Sequence, residues 1–120
     1  MGTRADFYVG CGKDAEWLGS VAWDGYEWDE DKDSRIAKAK TEKEYRAAVT
    51  EMLAGRRDAT PPEMGWPWPW DDSCLTDYVY AFLDGKVVTI TDTANAEFPD
   101  MRARSNFTMG KRSGVIVVNG

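Results

Sequence analysis

Carboxylates are the residues of this chain whose types and spacing could do chemistry. Glu27, Asp29, Glu30, Asp31 and Asp33 lie within seven residues, and Asp71 and Asp72 close the stretch GWPWPWDD. Alternating carboxylates such as Asp29, Asp31 and Asp33 could hold a hard divalent cation, and a cation so held could assist phosphoryl transfer. The chain has no histidine. That removes the commonest general base, the commonest metal ligand and every Ser-His or Cys-His nucleophile pair. Cys11 and Cys74 are far apart, show no CxxC spacing and supply no ordinary zinc site. Both read as buried, reduced thiols.

Gly19-Ser20 followed by Asp31-x-Asp33 is similar in spacing to the Gly-Ser and Asp-x-Asp with which nucleotidyltransferases hold metal ions. Such a carboxylate pair belongs on a strand inside an apolar run, whereas Asp31-Lys32-Asp33 runs into SRIAKAK and the expected glycine is displaced to Gly25. The segment also lacks the twelve-residue calcium-loop pattern with its closing glutamate. It therefore reads as a solvated acidic loop, with a small metal-dependent nucleotide-acting enzyme built on the Asp29–Asp33 cluster as the alternative. Gly10-Cys11-Gly12 is a lone GxG without a following helix or P-loop lysine, and reads as a hairpin bend. No cofactor is expected.

Three of the six tryptophans, Trp66, Trp68 and Trp70, alternate with Pro67 and Pro69. Proline stiffening lowers the entropy lost on holding large rings in place, which suits either a lid over the core or an anchor for a partner. As anchors they would form a binding surface with Asp71 and Asp72 and with Glu27, Asp29, Glu30, Asp31 and Asp33. Net charge is -6, distributed as -2 over residues 1–57, -8 over 58–100 and +4 over 101–120. The acidic middle opposes direct binding of nucleic acid and favours a protein partner with a basic surface.

The elements that must position these residues are short. Asp6–Cys11 and Trp17–Trp23 read as a strand pair. Thr41 and Glu44 have capping-box spacing, and Tyr45, Ala48, Val49, Met52 and Leu53 then make one apolar stripe of a helix that Gly55 can end in a left-handed cap, with Arg56 and Arg57 complementing its dipole. Prolines at 61, 62, 67 and 69 forbid helix from Ala59 to Trp70. YVYAFL-DG-KVVTIT is a hairpin, with Val79, Ala81 and Leu83 on the core face and Tyr78, Tyr80 and Phe82 on an amphipathic one. Gly114–Val118 reads as a final strand. At 120 residues this predicts one α+β domain over 1–120, a largely antiparallel sheet of about five strands packed on one main helix.

The stretches MGTRADFYVG, AEWLGSVAWDGY and GKRSGVIVV resemble a family of small uncharacterised bacterial proteins, often encoded in phage-like or conjugative mobile elements. The resemblance implies a bacterial, cytoplasmic protein and carries no catalytic residues. Small acidic proteins of such elements are often inhibitors of host defence, some by mimicking nucleic acid. With the charge pattern, this gives the expectation of a non-enzymatic protein-binding or inhibitory module. No apolar run is long enough to cross a bilayer, and the N-terminus lacks the apolar stretch of a signal peptide.

Overall fold

The computed structural model describes residues 3–23 and 34–101. Two strands, β1 (Ala5–Val9) and β2 (Glu16–Val21), are followed by a single-turn helix α1 (Ser34–Ala37) and the main helix α2 (Glu42–Ala54). A two-residue strand β3 (Ala59–Thr60), the Pro/Trp loop, and the hairpin β4 (Tyr78–Leu83) and β5 (Lys86–Ile90) complete the order. The sheet runs β3-β2-β1-β4-β5 and is antiparallel except at its centre, where β1 and β4 are parallel. The chain is thus an α+β fold with a five-stranded, mostly antiparallel sheet on one main helix. The fifth described strand is β3, at the start of the segment in which the prolines forbid helix. The expected strand at 114–118 lies outside the described residues.

Helix α2 begins as its sequence requires. The Thr41 side chain accepts from the Glu44 N–H at 3.1 Å, while the Glu44 carboxylate accepts from the Lys40 N–H at 2.9 Å, one residue earlier than the standard box. Tyr45, Ala48, Val49, Met52 and Leu53 are its buried residues. Gly55 ends it at φ -93°, so the left-handed cap does not form; its N–H bonds the Met52 carbonyl instead. Arg56 turns away from the helix end, its guanidinium gripping both oxygens of Asp58 at 2.8 and 2.9 Å. Burial pushes the Asp58 carboxyl up, but the Arg56 pair and the Trp23 N–H outweigh it and hold the group below its usual range. Pro62–Met64 forms a 3-10 turn, which proline tolerates at its first position.

The hairpin turn sits at Asp84 and Gly85, φ 53° and 82°, and pairs Leu83 with Lys86. Its faces correct the sequence reading. Tyr80 and Phe82 pack beneath α2 with Phe7, Val21, Ile36 and Leu53, so the aromatic face is the main core. Val79 and Ala81 belong to a second cluster on the opposite face, with Tyr8, Trp17, Phe98 and Met101. Leu83 is exposed. β4 lies inside the sheet and is covered on both sides, so it buries both alternating sets, whereas β5 at the edge is only half-buried.

A bulge between Phe7 and Tyr8 sets what the second face carries. Phe7 pairs with Gly19 but Tyr8 pairs with Trp17, so one residue of β2 is skipped and Trp17 crosses to the face of Ser20. Gly19 itself has φ +142°, and a Cβ there would overlap Leu53 Cδ1 and sit 3.0 Å from the Thr60 carbonyl oxygen. Gly19→Ala should therefore cost about 2–3 kcal/mol, from backbone strain and overpacking where α2 crosses β2. Urea unfolding checks this, and a midpoint equal to wild type would mean that the helix is not seated there.

Candidate functional site

Asp6 sits between Ala5 and Phe7 on β1, and strand alternation turns it away from α2 onto the second face. Its carboxylate has no exposed surface. The register places Ser20 opposite it, and Ser20 Oγ donates to Asp6 Oδ1 at 2.5 Å. Trp68 Nε1 donates to the same oxygen at 2.7 Å, and Ser73 Oγ to Oδ2 at 2.7 Å. Thr76 contributes a further side-chain hydrogen bond. Behind these stand Trp17, whose indole donates to Ser20 Oγ at 3.0 Å, and Tyr8, whose hydroxyl lies 2.7 Å from Ser73 Oγ. Burial pushes the Asp6 carboxyl above its ordinary value, and the donors from Ser20, Trp68, Ser73 and Thr76 pull it back only in part.

This network fastens the proline-stiffened loop to the sheet. Each indole N–H of the stretch is bonded internally: Trp66 to the Trp70 carbonyl at 2.7 Å, Trp68 to Asp6, and Trp70 to Thr76 Oγ1 at 3.1 Å. Trp66 meets Trp17 edge-on at 5.3 Å, and Trp68 stacks on Trp70 at 5.5 Å. All three rings are half-buried. They form a lid over the second face, and Arg4 lies over Trp70 at 5.1 Å while bonding Asp77. A second segment is stitched to the lid. The Met101 N–H donates to the Asp71 carbonyl at 2.8 Å, Thr93 Oγ1 to the Thr76 and Cys74 carbonyls, and Cys74 Sγ to the Ala96 carbonyl.

Of the residues expected to bind a partner, Trp66, Trp68, Trp70, Asp71 and Asp72 fall together on this lid. Asp71 is exposed, whereas Asp72 is half-buried and caps the Ser73–Leu75 turn by accepting from the Cys74 N–H at 2.9 Å. Glu27, Asp29, Glu30, Asp31 and Asp33 lie outside the described residues. Among the described residues no group of three or more metal-ligating side chains comes together. Ser20, the serine of the transferase-like spacing, is fully buried and bonded to Asp6 and Trp17. The Asp6 cluster itself is not among the residues the sequence singled out. Its signal was a lone carboxylate at an inward position of an apolar strand.

Cys11 corrects another expectation, being exposed rather than buried. Gly10 and Gly12 take φ 82° and 81°, which bends the hairpin tip outward and carries the thiol into solvent. Cys74 is half-buried. Ellman's reagent should therefore label one thiol of the native protein quickly, and Cys11→Ser should remove that phase. Local burial and the Asp84 carboxylate push the Cys11 thiol up, so labelling should accelerate as the pH is raised into the alkaline range. Slow native labelling of both cysteines would contradict the exposed tip.

No helix among the described residues is long and apolar enough to cross a membrane. No protein-family model, curated protein or solved structure matches the chain.

Proposed function

We propose that this is a non-enzymatic protein-binding or inhibitory module, of bacterial or mobile-element origin, that presents its lid to a basic protein surface. The observation that carries the reading is how polar groups divide at the lid. The indole N–H groups are all bonded inside, while Asp71, Asp92, Glu97 and Asp100 are exposed on two segments bonded to each other. Lys86 is the one basic side chain between residues 58 and 100. Exposed Leu75 and half-buried Trp70 add apolar surface among the acids. A preorganised aromatic surface rimmed by one sign of charge suits fast, charge-selective docking, in which the rim sets the association rate. Two free cysteines fit a cytoplasmic site of action.

The test begins with capture of a partner from bacterial lysate by the full chain and its identification by mass spectrometry. Combining Asp71→Asn, Glu97→Gln and Asp100→Asn should slow association with that partner about tenfold or more and flatten its salt dependence. The control pair Glu42→Gln and Glu51→Gln, on α2 across the sheet from the lid, should leave both unchanged. Equal effects from the two sets would sink the lid as the docking surface. Mg²⁺ or Mn²⁺ should leave the melting midpoint unchanged; a clear rise would favour the metal-dependent enzyme instead.

A further inference from the structure

Among the described residues, no charged group balances the buried acid Asp6. The side chains that donate to its carboxylate are all neutral: Ser20, Trp68, Ser73 and Thr76. The charged groups on the surrounding elements are engaged elsewhere or face solvent. Just before β1, Arg4 bonds Asp77 and covers Trp70; on β2, Glu16 bonds Arg46 of α2. In the loop Asp72 caps a turn, and Asp71, Asp92, Glu97 and Asp100 are exposed. Tyr8 is the other titratable group at the network, and it is a link within it.

Hydrogen-bond polarity shows how the site accommodates a proton. An indole N–H can only donate. Trp17 donates to Ser20 Oγ, so Ser20 sends its own proton to Asp6 Oδ1, where Trp68 also donates; Oδ1 is thus fixed as an acceptor. The Oδ2 side is reversible, because Ser73 Oγ lies 2.7 Å from both Asp6 Oδ2 and Tyr8 Oη. With Asp6 ionised, Tyr8 donates to Ser73 and Ser73 to Asp6. With Asp6 protonated on Oδ2, the acid donates to Ser73 and Ser73 to Tyr8. The Asp6–Ser73–Tyr8 chain keeps its bonds in both states, and burial with no cation among the described residues beside it favours the neutral one.

We infer that closure of the Trp66–Trp70 lid over Asp6 takes up one proton from solvent, so that the lid loosens as pH rises and the acid ionises. The sign follows from linkage. The closed form holds the proton more tightly than the open or unfolded chain, so the stabilisation is fully present below the ordinary carboxyl value. It is lost as pH rises through the higher, closed-state value. This holds whether or not the lid has a partner.

Asp6→Asn is the test, because an amide reproduces the neutral acid: its oxygen accepts from Ser20 and Trp68, and its NH₂ can donate to Ser73. Urea unfolding of the full chain and of this variant is compared from about pH 4 to 9. The ratio of wild-type to variant folding constants should fall by up to tenfold per pH unit until Asp6 has ionised, the other carboxylates cancelling. Acrylamide quenching of tryptophan should rise over the same window in the wild type and not in the variant. Parallel pH profiles would overturn the inference. If the variant fails to fold, the wild type decides through the carbon-13 resonance of the Asp6 carboxyl, followed with the Trp68 indole resonance. One shared midpoint above the ordinary carboxyl range supports proton uptake; titration within that range, or an indole that does not respond, overturns it.

Discussion

Asp6→Ala lowers the stability of the fold by about 4 kcal/mol or more at pH 6, the largest effect expected of any single truncation on the second face. The alanine leaves the Ser20, Ser73 and Thr76 hydroxyls and the Trp68 indole N–H without their acceptor in a region closed to solvent. Each such orphan costs about 1–3 kcal/mol, less whatever a trapped water recovers. Against a total stability of about 5–15 kcal/mol this removes a large share. The loss should be accompanied by a red shift of tryptophan emission as Trp68 and Trp70 come free. Urea unfolding measures the first effect and native-state fluorescence the second. A loss under about 1 kcal/mol with unshifted emission would mean that the lid is held by ring packing alone.

On the other face, Tyr45→Ala should cost about 3–5 kcal/mol. Tyr45 has no exposed surface, stacks on Phe82 at 5.3 Å and donates its hydroxyl to the Tyr80 carbonyl at 3.3 Å. The cavity would open at the centre of the contact between α2 and β4. Tyr45→Phe keeps the ring and should cost only about 1 kcal/mol, which separates packing from the hydrogen bond. Burial pushes the Tyr45 phenol far above its usual value. Its contribution is therefore present below about pH 10 and lost as the unfolded chain's tyrosine ionises above that, a loss that Tyr45→Phe should abolish. Denaturant midpoints of the three proteins at neutral and alkaline pH test both statements.

These variants address different levels of the fold, and the levels differ in how far the sequence reveals them. Helix α2 was legible in its Thr41 N-cap and its five buried positions, though not in its C-terminal cap, because a helix is specified by residues three and four apart. Asp84-Gly85 was equally legible, because a two-residue turn is chosen by the φ its residues can adopt. The tryptophan stretch was recognisable as rigid from its prolines, but whether it covered the core or stood out from it was open.

Tertiary structure decided the rest through contacts that no local window contains. Asp6 meets Trp68 and Ser73 across 62 and 67 residues, and the parallel pairing of β1 with β4 that makes this possible has no turn or spacing signal. The bulge at Phe7/Tyr8 moved Trp17 to the face of Ser20, and simple alternation would have put it on the other. The covering of both sheet faces likewise follows from tertiary docking: α2 seats on the face read as amphipathic and makes it the main core, while the lid covers the other. By itself the sequence determined a helix, two hairpins, a stiff aromatic loop and an acidic middle. Only the folded chain brought a carboxylate and that loop together, because a buried acid selects its partners by geometry in three dimensions rather than by spacing along the chain.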